Sequence, residues 1–239
     1  LKLIIQRMPA TLELALFSLF IAIVFGIPLG IYAGLKPKSK VSKTIMAGSI
    51  LGFSMPTFWV GIIFIMIFAV HLGWLPSTGR GELGTFLGIQ SSLFTANGLS
   101  HVFLPALNLA LFKMSSVIRL TRAGTREIIL QDYITFARSK GLSEEKVVLV
   151  HVLRNILIPI VTVIGLEFGS LIAFSTVTET IFAWPGMGKL IIDSIYNLDR
   201  PVIVAYLMII VTFFVFLNLL VDILYSLLDP RVRVKGANE

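Results

Sequence analysis

Five apolar runs, each long enough to cross a bilayer, constrain this chain more than any other feature. A helix needs about 20 residues to cross the roughly 30 Å hydrocarbon core, and such runs lie near 11–35, 44–72, 102–123, 155–177 and 202–228. In lipid every backbone polar group must find its partner within the protein, so the runs are expected to be helices packed as an all-α polytopic transmembrane bundle. With 56% hydrophobic and 14% charged residues and a mean hydropathy of +0.92, the chain lacks the polar surface of a water-soluble domain. Gly26, Pro28 and Gly30 in the first run are residues that a lone lipid-facing helix does not need. Small residues let helices approach closely.

The net charge of +7 might point to nucleic acid, but the charges are clustered between the apolar runs. Lys and Arg number four in 36–43, eight in 113–154 and three in 231–235, against two before the first run, Arg80 alone, and Lys189 with Arg200. Fifteen cations thus alternate with five, and the richer side is expected to be cytoplasmic, with the C-terminus inside. Five spans then leave Leu1 outside. The residues ahead of the first run do not form a signal peptide. One further span upstream is expected, with 1–8 an extracytoplasmic remnant, 9–229 the transmembrane domain and 230–239 a cytoplasmic tail.

Little else in the loops points to chemistry. The chain has no cysteine, which excludes disulfides, thiolate metal sites and cysteine nucleophiles. His71 and His101 stand alone near span ends, without a second ligand at metal spacing, and Trp74 suits an interfacial anchor. Gly186-Met187-Gly188-Lys189 has the look of a phosphate loop, yet Ala183 stands where its first glycine belongs and Leu190 where a Ser or Thr would bind magnesium. No nucleotide site, metal site or catalytic constellation is expected in this chain.

The longest cytoplasmic loop, within 119–154, is more informative. Its stretch 132–145 is too charged for lipid but carries spaced apolar residues, and it reads as two short helices broken at Gly141. Ser143 is a good N-cap, with Glu144 and Glu145 in the first turn where the helix dipole favours acids. Val147, Val150, Leu153 and Leu157 then recur at steps of three and four, an apolar stripe leading into the fourth span. In the first helix Tyr133, Phe136 and Ala137 are expected on one face with Arg138 and Lys140 beside them, a docking feature. The plainer alternative is a basic loop that only sets orientation.

Nearly the whole chain resembles the permease subunits of ABC importers for dipeptides, oligopeptides and nickel, of the type I importer permease fold. The residues that carry the resemblance begin with Pro9-Ala10-Thr11-Leu12-Glu13-Leu14, Gly73-Trp74-Leu75-Pro76 and Leu104-Pro105-Ala106-Leu107. They continue through Arg119-Leu120-Thr121-Arg122, Gln131-Asp132-Tyr133, Ala137-Arg138-Ser139-Lys140-Gly141-Leu142 and His151-Val152-Leu153-Arg154-Asn155 with Pro159. The last blocks are Glu179-Thr180-Ile181-Phe182-Ala183-Trp184-Pro185-Gly186 and Leu228-Asp229-Pro230-Arg231. In that family a cytoplasmic signature, Glu-Ala-Ala, three residues, Gly, nine residues, Ile-x-Leu-Pro, enters a groove on the ATPase. Here Thr135-Phe136-Ala137 takes the Glu-Ala-Ala place and Gly141 the glycine, while the glutamate is missing and 17 residues separate Gly141 from Pro159. Both departures resemble the peptide and nickel branch.

The resemblance implies a pore of two permease subunits, non-identical in this branch, two ABC ATPases beneath it and an extracytoplasmic binding protein. ATP and magnesium would sit on the ATPase, with no cofactor on this chain. The implied coupling loop is 124–154, with Tyr133, Thr135, Phe136, Ala137, Arg138, Lys140, Gly141 and Leu142 at the ATPase and Gly141 and Pro159 as joints. A proline inside a span weakens the helix there. Polar residues inside spans are expensive and mark a pathway or a packing contact, which singles out Glu167, Asn218 with Asp222 one turn on, and Asn108. The Trp-Pro-Gly turn, with Glu179, Trp184, Pro185 and Gly186, is expected at an outer gate, or as an interfacial anchor. The alternative function is a secondary transporter or channel working without ATP, whose inverted repeats are not visible. A membrane enzyme comes third, for want of a convergent acid, base or metal cluster.

Overall fold

The computed structural model describes residues 2–228, with side chains for all of these except 158, 166, 222 and 224–228. Asp222, whose side chain lies outside the described residues, and the tail 230–239 are therefore not placed. The chain runs through α1 (Lys2–Leu35), α2 (Lys40–Ser54) and α3 (Thr57–Phe64), the last continuing as a π-helical segment Ile65–His71. An outer loop follows with a small antiparallel hairpin, β1 (Gly84–Phe86) against β2 (Ile89–Ser91), and one 3₁₀ turn, Ser92–Phe94. Then come α4 (Ala96–Ile129), α5 (Asp132–Ser139), α6 (Glu144–Lys146) with a π-helical continuation Val147–Val152, α7 (Leu153–Ile181), α8 (Met187–Tyr196) and α9 (Arg200–Leu228).

Among the described residues three helices, α1, α4 and α9, are by themselves long and apolar enough to cross a membrane, and five spans result when each bent helix pair is one span. The expected second span, 44–72, is not one helix. Pro56 has no N–H to donate and pushes the residue before it out of the helical region. Met55 is accordingly extended (φ −82°, ψ 136°), α2 stops at Ser54, and the axis turns by 106° into α3. Hydropathy alone hides this break, because the apolar run continues through it.

The centre of the bundle is the contact between α1 and α4, which run parallel. Gly26, Gly30 and Gly34 form a stripe at four-residue spacing, and it meets a matching stripe of Val117, Thr121 and Thr125. A Cβ added at Gly30 would lie 2.5 Å from the Thr121 Cβ, and one at Gly34 2.6 Å from the Thr125 Cβ. Close backbone approach of this kind holds helices together where lipid offers no hydrophobic drive. Three apolar clusters extend from it. One joins α1, α4 and α7 around Leu14, Val102, Leu109, Leu171 and Trp184. A second ties α5 and the π segment to the spans, and a third packs Ile4, Met187, Ile191 and Tyr206 between α1, α8 and α9.

Candidate functional site

The segment between α4 and α7 has the expected division at Gly141. Gly141 takes φ +78°, in the left-handed region that favours glycine, and separates α5 from α6. The Ser143 hydroxyl accepts from the Lys146 N–H as an N-cap, and Arg138 pairs with Glu144 at 2.8 Å, tying α5 to α6 across the joint. Tyr133 and Phe136 are exposed, at 42% and 60%, and the Lys140 ammonium lies 4.5 Å over the Phe136 ring. Partial burial raises the Tyr133 phenol above its ordinary pKa. Ala137, one turn after Tyr133, borders their face but is not exposed with them. With Ile134 it is buried in the second cluster, so the line between buried and exposed residues runs along α5 between Ala137 and the two aromatics.

The apolar stripe also departs from the expected one. Val150 is 54% exposed, while Val147, Val152, Ile156 and Ile160 are buried. The reason is the π segment Val147–Val152. It closes each turn over one more residue, so the inward position moves from Val147 by five to Val152 and then returns to steps of four. Leu130, Leu149 and Val150 thereby join Tyr133 and Phe136 as exposed apolar residues of this region. Pro159 follows inside α7, where the axes of Glu144–Leu157 and Pro159–Gly165 differ by 41°.

Within the spans, Glu167 is paired. Its carboxylate lies 3.2 Å from the Lys113 ammonium, which also donates to the Ser170 hydroxyl at 2.8 Å. Lys113 was expected in the cytoplasmic loop, but it sits halfway along α4 and is 5% exposed; removing it from the loop count leaves the cation excess on the same side. Asn108 is buried and donates to Thr178 at 3.0 Å, while its Oδ1 has no partner among the described residues. Asn218 donates to the Phe214 carbonyl one turn back.

On the opposite side of the bundle the turn after α7 is clasped by α1. Trp184 is fully buried and its indole N–H donates to the Ala10 carbonyl at 2.9 Å, so it is an internal anchor rather than an interfacial one. Glu179 is also fully buried. Its carboxylate accepts from the Thr11 hydroxyl (2.7 Å), the Ser175 hydroxyl (3.1 Å) and the Lys189 backbone N–H (3.0 Å). Gly186 lies so close that a Cβ there would be 2.4 Å from the carboxyl. The stretch resembling a phosphate loop thus has a use: the N-terminus of α8 holds an anion, and the anion is the chain's own Glu179. A second buried acid, Glu13, is bound by Arg80 and by the Ser92 N–H and hydroxyl, which fastens the outer loop to α1.

This arrangement of spans and cytoplasmic segment has close counterparts among solved structures. A chain of the MetNI methionine ABC transporter, in an inward-facing crystal form, superposes with a TM-score of 0.73 at 18% identity, covering 95% of this chain and 96% of that one. An amino acid ABC transporter crystallised with histidines gives 0.61 at 17% identity, over 96% and 94%. The fold is that of a type I ABC importer permease. The family profile for binding-protein-dependent transport system inner membrane components matches residues 26–234. The chain belongs to that family. Among relatives of this inner membrane component, the di/tripeptide transport system permease protein of Pseudomonas aeruginosa is 43% identical over 94% of this chain and 70% of its own length. The dipeptide permease protein of Escherichia coli is 37% identical (97% and 73%), and the oligopeptide permease protein of Bacillus subtilis 41% (97% and 72%).

Two ion pairs of this permease escaped sequence reasoning, Lys113 with Glu167 and Arg80 with Glu13. Both partners of the second pair lie 67 residues apart, and no periodicity links them. For the first, the available signal was a lysine inside the predicted third span, between Phe112 and Met114.

Proposed function

We propose that this chain is one of two pore-forming permeases of an ATP-driven importer for short peptides, working by alternating access. Its partners are a second, non-identical permease, two ABC ATPases that carry the ATP and magnesium, and an extracytoplasmic binding protein; the chain itself binds no cofactor. The C-terminus and the segment 124–154 face the cytoplasm. The observation that carries the coupling role is the division of α5: Ile134 and Ala137 are held in the core while Tyr133 and Phe136 stand exposed on the same two turns. A helix gripped along one face and offering aromatics on the adjoining one is suited to be pushed by a partner. Displacement would pass through Val147, Val152, Ile156 and Ile160 into α7, with Gly141 and Pro159 as joints. The peptide substrate is supported by the three permeases of peptide importers among its relatives.

Gly141→Pro, which cannot adopt φ +78°, and deletion of 133–142 should each abolish ATP-dependent peptide uptake while the chain still inserts in the membrane. Uptake and membrane insertion are read on the same preparation. Normal uptake by either variant would overturn the coupling role.

A further inference from the structure

Lys113 is a buried cation in the middle of a span, a costly position, and packing alone gives little reason to keep it. It lines a cavity of about 280 Å³ that opens at the break between α2 and α3, together with Phe53, Ser54, Thr57, Phe112 and Phe174. Phe112 stacks on Phe53 at 4.9 Å and lies 6.3 Å from Phe174, giving the cavity an aromatic wall. Of the three donors of the ammonium, Glu167 and Ser170 occupy two among the described residues. The third is free for a ligand.

Two further features give the cavity a polarity. The first turn of α3 borders it through Pro56 and Thr57, and no side chain caps that turn. Its orphan N–H groups and the positive end of the helix dipole therefore favour an anion on the same side as Lys113. Glu167, 35% exposed, is not among the residues lining the cavity but lies 3.2 Å from the ammonium, so its carboxylate borders the site through Lys113. The Lys113 and Glu167 pair is thus neutral as a unit at the border of the cavity, and a ligand with opposite charges of its own can replace each partner without leaving a charge unpaired.

We propose that this cavity is a transit site for a zwitterionic short peptide, its carboxylate on Lys113 and the first turn of α3, its ammonium on Glu167, its side chains against Phe53, Phe112 and Phe174. The volume is near the lower end of ligand pockets, about 300 Å³, which suits a peptide of a few residues. The proposal rests on the peptide-importer function above and adds the site and the groups that read the peptide's ends.

The test uses the assembled importer in proteoliposomes with saturating binding protein and labelled alanyl-alanine. Lys113→Gln should lower peptide moved per ATP hydrolysed about tenfold, Lys113→Arg less than threefold, and the exchanged pair Lys113→Glu with Glu167→Lys should stay as low as Lys113→Gln. Uptake per ATP within twofold of wild type for Lys113→Gln, or restored by the exchanged pair, would show the ion pair to be a packing device and overturn the proposal. A second measurement leaves Lys113 in place. In this cysteine-free chain, Thr57→Cys should react about tenfold faster with a sulfonate-bearing methanethiosulfonate than with its trimethylammonium counterpart, and alanyl-alanine should slow the reaction at least threefold. No charge preference and no protection would sink the site. Absence of alanyl-alanine uptake by the wild-type importer would instead count against the peptide function, whatever the thiol result.

Discussion

At the scale of residues, Glu179 shows how a charge is kept inside this bundle. A buried carboxylate is tolerable only when its oxygens are hydrogen-bonded, and here hydroxyls from α1 and α7 and a backbone N–H of α8 do so. The glycines of the turn make room for it: Gly186 lies against the carboxyl and Gly188 against Thr176. Gly186→Ala would drive a methyl into the carboxylate and pull it from its donors, leaving a buried acceptor unpaired at a cost of about 1–3 kcal/mol. We expect lower thermal stability of the purified complex in detergent; an unchanged transition would contradict the role given to Gly186.

At the scale of elements, the contact between α1 and α4 rests on backbone proximity. Gly30→Leu would require the helices to part, since even a Cβ there lies 2.5 Å from Thr121, and overpacking of a close contact costs about 1–3 kcal/mol. Less of the purified permease should survive detergent extraction. Thr121 offers the opposite change. Its hydroxyl is buried without a partner among the described residues, so Thr121→Val, similar in shape, removes an unpaired polar group and should raise the thermal transition of the complex, a gain of about 1 kcal/mol. A lowered transition would mean that the hydroxyl has a partner in the assembled complex.

The helices themselves were readable from apolar run length, and Gly141 with Ser143 from turn and cap chemistry. Other features were not. The π segment adds one residue to a turn without changing composition, so Val150 and Val152 exchanged places; Pro56 was visible as a letter, but the unbroken apolar run around it concealed the bend. Contacts such as Thr11 to Glu179, 168 residues apart, leave no local trace in one sequence. Lys113 is the most instructive case. Charge counting treats every lysine as a topology marker, whereas a lysine within a span is a candidate for ion pairing or ligand contact.

At the scale of the whole molecule, the second apolar cluster links the cytoplasmic segment to the spans. Ile134 and Ala137 of α5 share it with Val147, Val152, Ile156 and Ile160 and with Ile27 and Val117 of the α1 and α4 pair. A push on α5 is therefore received by side chains packed against the spans, and Lys113 lies one turn before Val117 on α4. In the proposed coupling role, docking and transmission fall to adjoining faces of α5, and this separation can be tested. Tyr133→Ala with Phe136→Ala removes exposed aromatics and leaves the cluster untouched. If these are anchors worth about 2 kcal/mol or more together, ATPase affinity should fall about 30-fold or more while thermal stability of the permease stays within a degree or two. Ile134→Ala empties a buried site instead, with a cost of about 2–5 kcal/mol, so stability should fall and the exposed aromatics remain. ATPase binding measured by pull-down titration, set beside thermal unfolding of the permease, resolves the two effects. If Tyr133→Ala with Phe136→Ala kept full ATPase affinity, the docking surface would lie elsewhere in 124–154, with exposed Leu130, Leu149 and Val150 the next residues to exchange.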